Sequence, residues 1–248
     1  MFDSGNCAAV IPCFNESASI AALVCGARRY LPRVLVVDDG STDDTARRAQ
    51  SAGARVLAHE RNWGKGAALR TGLAGARDQG FAWAVTLDGD GQHAPEDLPG
   101  LFERARATAA ALVIGNRMHE ADRMPWLRRR VNRWMSRQLS RRAGRELPDT
   151  QSGFRLIHLD TWAALGIQTR RFEVESETLM AFLAAGRRVE FAPVRVIASR
   201  RHSHICPLAD TWRWLKWWRT WQGKGMAEGQ LPLAGLEIRC RGFGDADS

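Results

Sequence analysis

The sequence predicts an α/β protein with a mainly parallel central sheet flanked by helices, and three observations predict it. Short aliphatic or β-branched runs recur at residues 7–11, 34–37, 55–58, 81–87 and 111–115. Stretches of helical length and periodicity separate them, the alternation that builds βαβ layers. Three successive runs end in polar, acidic or glycine-bearing loops, after Ile11, Val37 and Leu87. In such sheets ligands bind beyond the carboxyl ends of the strands.

The elements follow in order. The first strand is closed by Pro12, and the turn through Asn15, Glu16 and Ser17 opens a helix over 18–30. Asn15 is either a ligand residue or a helix N-cap, and the same two readings hold for Asp43 and Asp44. The second strand ends in Asp38-Asp39-Gly40-Ser41-Thr42-Asp43-Asp44, and a helix over 45–52 stops at Gly53. After the third strand, Asn62-Trp63-Gly64-Lys65-Gly66 leads into a helix over 67–77. This is no Walker loop, because the preceding glycine and the following Ser/Thr are missing. It is no dinucleotide fingerprint either, since Leu69 stands where the third glycine belongs. Lys65 meets either a phosphate or solvent.

The fourth strand delivers Asp88-Gly89-Asp90-Gly91-Gln92-His93, and Pro95-Glu96-Asp97 starts the next helix. Two carboxylates one residue apart on a glycine-loosened turn reach one hard cation, with Gln92 able to add a third oxygen. Magnesium or manganese takes such ligands together with phosphate oxygens. The plain alternative is a strand-to-helix turn with solvated acids.

Composition narrows the partners. The 248 residues are 45% apolar and 25% charged, as in a folded protein. A net charge of +9 and a pI near 10.3 favour an anionic partner: phosphorylated substrates, an acidic lipid surface or nucleic acid. No nucleic-acid recognition motif accompanies the charge, so nucleic acid is not expected. Cys7, Cys13, Cys25, Cys206 and Cys240 form no Cys-x-x-Cys pair, which suggests reduced thiols in a cytoplasmic compartment. No signal-peptide pattern opens the sequence, and no apolar run approaches the roughly 18 residues of a spanning helix. Membrane contact is therefore expected to be peripheral, at the inner face.

Beyond residue 117 the composition shifts. Between 124 and 146, Trp126, Leu127, Val131, Trp134, Met135 and Leu139 recur at helical spacing among many arginines. That pattern suits either an anionic membrane interface or a helix packed on the domain with a solvated arginine face. Strands are expected over 154–157 and 189–196. A helix over 210–221 puts Trp214, Trp217, Trp218 and Trp221 on one side and Arg213, Lys216 and Arg219 on the other. It reads as an interfacial face ahead of core packing, and 222–248 reads as a loose tail.

Five spaced motifs carry a resemblance. They are Ile11-Pro12-x-x-Asn15-Glu16, Val37-Asp38-Asp39-Gly40-Ser41-Thr42-Asp43, Asn62-x-Gly64-Lys65-Gly66, Asp88-Gly89-Asp90-Gly91-Gln92-His93 and Asp149-Thr150-Gln151-Ser152-Gly153-Phe154-Arg155. Together they resemble inverting nucleotide-sugar glycosyltransferases of family 2 with the GT-A fold. The polyprenyl-phosphate sugar synthases typified by dolichyl-phosphate mannose synthase look nearest. The resemblance implies a nucleotide pocket lined by Pro12, Asn15 and Glu16, with Asp38 and Asp39 on base and ribose and Lys65 beside them. It implies that Asp88 and the catalytic Asp90, with Gln92, carry magnesium or manganese on the diphosphate.

On the acceptor side Gln151, Ser152, Glu175, Arg200, Ser203 and His204 are expected. Relatives often carry Lys at the place of His204, a departure that could make phosphate clamping pH-sensitive. An acceptor phosphate is already ionised, so the site must screen two anions rather than supply a base; Arg117, Arg155, Arg200 and Arg201 are the candidates. The expected reaction moves a hexose from GDP-mannose or a UDP-hexose to a polyprenyl-phosphate or other lipid-linked acceptor, with inversion. A second reading uses a sugar or lipid hydroxyl, with Asp149 as base. A third is a catalytically silent nucleotide-sugar- or lipid-binding module. One GT-A domain is expected, with a nucleotide-sugar half (1–117), an acceptor half (118–205) and a Trp/Arg-rich helix and tail (206–248).

Overall fold

Strand β1 (Cys7–Cys13) is buried at every residue, and its side chains alternate between two apolar cores. Cys7, Ala9, Ile11 and Cys13 enter one core, while Ala8 and Val10 enter the other. Burial on both faces is why the strand reads as an unbroken apolar run rather than an alternating one. The same division holds for β2 (Arg33–Asp38), where Val34 and Val36 oppose Leu35, and for β4 (Trp83–Thr86), where Trp83 and Val85 oppose Ala84.

The computed structural model describes residues 2–197 and 207–224. With β3 (Arg55–Ala58), β5 (Leu112–Asn116), β6 (Arg155–His158) and β7 (Val189–Pro193), the strands form one seven-stranded sheet in the order β3-β2-β1-β4-β6-β5-β7. All neighbours are parallel except at β6, which runs antiparallel to both β4 and β5. The mainly parallel α/β architecture expected from the sequence is therefore present.

Helices cover both faces. On one lie α1 (Ile20–Arg28), α2 (Thr45–Ser51) and α4 (Leu98–Thr108), through Leu23, Ala49, Leu101 and Phe102. On the other lie α3 (Lys65–Asp78), α5 (Trp126–Ala143), α6 (Leu159–Ala164), α7 (Val174–Ala184) and α8 (Pro207–Lys224). Helix α3 lies tight on the sheet at Gly72, where a Cβ would come within 2.4 Å of a Val10 methyl and 2.9 Å of a Val37 methyl. Only glycine allows that approach.

Helix α7 has its hydrophobicity spread round its axis and is buried, with Leu179, Met180 and Phe182 in the core. One expectation is corrected here. The Trp face of α8 turns inward. Trp214 is 2% exposed, it stacks with Trp218, and Trp217, Trp218 and Trp221 pack against the core. Core packing, not an interfacial face, accounts for these four tryptophans. No helix among the described residues is long and apolar enough to cross a membrane.

Candidate active site

The carboxyl ends of β1, β2, β4 and β5 point to one edge of the sheet. The reversed β6 brings its amino end, and with it the loop 149–154, to that same edge. A cavity of about 890 Å³ opens there.

Short polar side chains stitch the loops of the first two strands together. The Asn15 amide N–H donates to Ser41 Oγ at 2.9 Å, and Asn15 Oδ1 accepts from the Thr42 N–H at 2.9 Å. Asn15 has φ of 56°, a left-handed conformation that asparagine tolerates. It caps no helix, since Ser19 holds the N-cap position of α1. The Glu16 N–H donates to Thr45 Oγ1, and Ser19 Oγ donates to the Gly89 carbonyl at 2.7 Å. Asp44 holds the N-cap position of α2 without a side-chain capping bond, while Asp43, one residue earlier, accepts from the backbone of Ser17 and Thr45 and ties the two loops together. Pro12 and Glu16 line the cavity, whereas Asn15 and Asp38 do not. Asp38 instead accepts from the Ser41 N–H, a turn-forming bond.

Asp39 does line the cavity, with much of its carboxylate already engaged. Oδ1 accepts from the Trp63 N–H at 3.0 Å and from His59 Nδ1 at 2.7 Å; Oδ2 accepts from the Gly64 N–H at 2.8 Å. The bonds pin the 62–64 loop to β2.

Charged groups are concentrated where β4 ends. Lys65 Nζ lies 2.5 Å from Asp88 Oδ1 and 2.6 Å from Glu175 Oε1. Burial disfavours the Lys65 charge, but Asp88 and Glu175 outweigh it and hold the ammonium above its usual range. Burial likewise opposes ionisation of Asp88, and the Lys65 ammonium overcomes it, holding the carboxyl well below the usual carboxylate range. Glu175 Oε1 has the ion pair alone, and Oε2 meets no donor among the described residues. Gly153 packs against Asp88 so closely that a Cβ would lie 2.5 Å from its Oδ1. Burial pushes the His93 imidazole below its usual value, against the opposing charges of Asp88 and Asp90.

Arg117 and Asp149 form a buried, forked pair. Arg117 Nε and Nη2 donate to Asp149 Oδ2 and Oδ1 at 2.7 and 2.9 Å, and the Arg117 backbone N–H adds a third bond at 3.1 Å. Burial would raise the Asp149 pKa, but Arg117 lowers it further than burial lifts it. A carboxylate so engaged is not available as a general base in this arrangement, which corrects that part of the second reading.

Three further expectations change. Arg155 is 3% exposed and donates to the carbonyls of Ser152, Thr150 and Glu175 at 2.6–2.9 Å. Burial lowers its pKa to about 10. It ties the 149–154 loop to α7 and does not face the cavity. Ser152 is fully buried behind that loop, while Gln151 lines the cavity. Gln92 Oε1 already accepts from Arg128 Nη1 at 2.8 Å, so a cation would have to share it. Arg200, Arg201, Ser203 and His204 lie outside the described residues.

Sequence reasoning missed the opposite wall. Met124, Leu127, Val131, Met135 and Trp214 line it, with Arg128 and Asn132 among them. Asn132 Nδ2 is buried without a hydrogen-bond partner among the described residues. The spacing of 124, 127, 128, 131, 132 and 135 marks one helical face, the signal that could have found it.

Asp88 and Asp90 are hard oxygen donors facing this cavity, and Asp90 Oδ1 accepts from the Gln92 N–H at 2.9 Å. No cluster of three or more His, Cys, Asp or Glu suited to a metal exists among the described residues. The two carboxylates therefore fit a hard divalent ion only if a ligand completes its shell, as phosphate oxygens do.

Comparison with known proteins agrees with this geometry. Residues 8–161 match the model of Glycosyl transferase family 2. An undecaprenyl-phosphate mannosyltransferase of Micrococcus luteus is 30% identical over 202 residues, covering 76% of this chain and 82% of that one. A UDP-N-acetylglucosamine–dolichyl-phosphate N-acetylglucosaminyltransferase of Methanococcus voltae is 29% identical over 211 residues, covering 76% and 84%. Among solved structures, glucosyl-3-phosphoglycerate synthase of Mycobacterium tuberculosis superposes with a TM-score of 0.71 at 22% identity. The match covers 88% of this chain and 79% of that one, in a complex with Mn2+, UDP-glucose and phosphoglyceric acid. The same protein with Mg2+ and UDP superposes with a TM-score of 0.66. At that identity the likeness establishes the fold.

Proposed function

Because the chain belongs to glycosyl transferase family 2, a family of nucleotide-sugar-dependent enzymes, we propose that it moves a hexose from a nucleotide sugar to a lipid-borne acceptor. The observation that carries this reading is the two-sided cavity. One end gathers Lys65, Asp88, Asp90 and Arg117; the other is walled by Met124, Leu127, Val131, Met135 and Trp214. An anionic head with a hydrocarbon tail fits such a space better than a free sugar does.

In this reading Pro12, Glu16 and Asp39 border the nucleotide. Asp88 and Asp90 would hold magnesium or manganese, which when bound neutralises charge on the departing diphosphate. Arg117, fixed by Asp149, keeps Nη1 for a phosphate oxygen. Arg128 and Asn132, one turn apart on α5, supply donors on the acceptor side. Polyprenyl phosphate as acceptor is supported by the names of the relatives from Micrococcus luteus and Methanococcus voltae. It also suits Asp149, since an ionised phosphate needs no base.

The solved neighbours lean to the second reading, a hydroxyl acceptor. They are synthases of glucosyl-3-phosphoglycerate, with phosphoglyceric acid bound. That reaction would need a base, and Asp149 could serve as one only on release from Arg117. Contact with an anionic bilayer accords with exposed Trp126, Leu127 and Trp212 beside Arg130, Arg133 and Lys216.

The test is incubation of the protein with labelled UDP-glucose, UDP-N-acetylglucosamine or GDP-mannose and manganese. Undecaprenyl phosphate or a hydroxyl acceptor such as phosphoglycerate is offered, with and without chelator. Chelator-sensitive label in the organic phase supports the lipid phosphate, and label in a water-soluble glycoside supports the hydroxyl. No transfer to either sinks both and leaves a binding module.

A further inference from the structure

His93 has no part in the reading so far. Its ring is 2% exposed, stacks on Phe154 with centroids 5.1 Å apart, and lines the cavity beside Asp88, Asp90 and Arg117. Its Nδ1 accepts the Asp88 backbone N–H at 3.0 Å. A ring nitrogen that accepts from an amide carries no proton, so the neutral imidazole bears its hydrogen on Nε2. Nε2 lies 4.0 Å from Asp88 Oδ2, beyond hydrogen-bond reach. No other hydrogen-bond partner meets it among the described residues. The result is an N–H of fixed tautomer and fixed direction, without an acceptor, next to the two acids at the end of β4.

We propose that His93 Nε2–H donates to an oxygen of the donor's diphosphate as the sugar leaves, making His93 a catalytic residue. This rests on the glycosyl-transfer reading above. As the anomeric C–O bond breaks, its electron pair stays on the phosphate oxygen while the acceptor oxygen forms the new bond. Charge on the diphosphate grows, and a donor already held in place strengthens with it at no cost of reorganisation. His93 transfers no proton. Its neutrality lets it stand beside Arg117 and Lys65 without repulsion.

Two substitutions separate the ring's two nitrogens. His93→Asn keeps an acceptor near the position of Nδ1 and removes the Nε2 donor. His93→Gln keeps a donor near Nε2 and removes the Nδ1 acceptor. Release of nucleoside diphosphate from UDP-glucose and GDP-mannose is measured with undecaprenyl phosphate and with phosphoglycerate, alongside Mn2+ titration in the presence of UDP or GDP. For H93N, kcat is expected to fall about ten- to hundredfold, with the donor KM and Mn2+ affinity within about threefold of the unaltered protein. H93Q is expected to retain more turnover than H93N while binding Mn2+ more weakly. Turnover of H93N within about threefold of normal overturns the proposal. So does an Mn2+ affinity lost in step with turnover, which would make His93 a loop support only. An unaltered protein inactive with every donor and acceptor removes the glycosyl-transfer reading and this proposal together. An active protein indifferent to H93N removes this proposal alone.

Discussion

The two ends of the cavity are built differently. At the nucleotide end, short side chains from two loops (Asn15 and Ser19; Ser41, Asp43 and Thr45) bond to neighbouring backbone and reach a third loop at Gly89, and Asp39 pins a fourth. At the acceptor end, long side chains from α5 and α8 make the wall, with Trp134 edge-on to Trp214 at 5.4 Å and Trp214 Nε1 donating to Ser176 Oγ. The first end holds its shape by directed bonds between residues close in the motifs. The second holds it by packing between residues far apart in the chain. Motif residues at the nucleotide end thus serve the backbone as much as a ligand.

The largest effect is expected from Asp90→Ala. Turnover should fall about a thousandfold or more, with the melting temperature nearly unchanged, because among the described residues the Asp90 side chain bonds only to the Gln92 N–H. Melting well below the unaltered protein would make Asp90 part of the stitching.

Breaking the Arg117–Asp149 pair comes next. Arg117→Ala leaves a buried carboxylate without its partner and should cost about 3–5 kcal/mol, read by denaturant unfolding. A cost below about 1 kcal/mol would mean the pair is not closed off from water. At the acceptor end, Trp214→Ala should cost a comparable 3–5 kcal/mol through lost packing. A near-neutral result would return α8 to an interfacial role.

The pair also sets a pH dependence. Asp149 is held below its usual pKa in the folded protein, so its contribution is present above the unfolded value near pH 4 and lost as pH falls through the lower folded one. Acid unfolding should therefore steepen below about pH 4, and the Arg117→Ala protein should lack that steepening in a titration followed by circular dichroism.

The smallest effect belongs to Trp212, which is 64% exposed. Trp212→Ala should change stability by no more than about 0.5 kcal/mol, yet weaken co-sedimentation with anionic liposomes. Binding that is indifferent to both Trp212 and salt would remove the membrane contact.

The loops, strands and helix order of residues 1–117 are legible in the sequence because local patterns specify them. The apolar runs of β1, β2 and β4 are continuous since both faces are covered, and the acids follow each strand directly. The part of the chain beyond residue 117 was less legible. Trp217, Trp218 and Trp221 have the same helical spacing whether they face lipid or a core, and spacing alone does not choose. Arg155 and Ser152 sit inside a motif that faces the site, yet point away from the cavity because β6 is reversed and buried.

By itself the sequence determined the α/β class and the family, and it put two carboxylates at the end of β4. Tertiary structure decided which way each charged and aromatic group faces. It turned Gln92 to Arg128, Asp149 to Arg117 and the α8 tryptophans to the core. The physical reason is that hydrophobic periodicity and turn chemistry act over a few residues. Burial and ion pairing depend on what the chain brings alongside from tens of residues away.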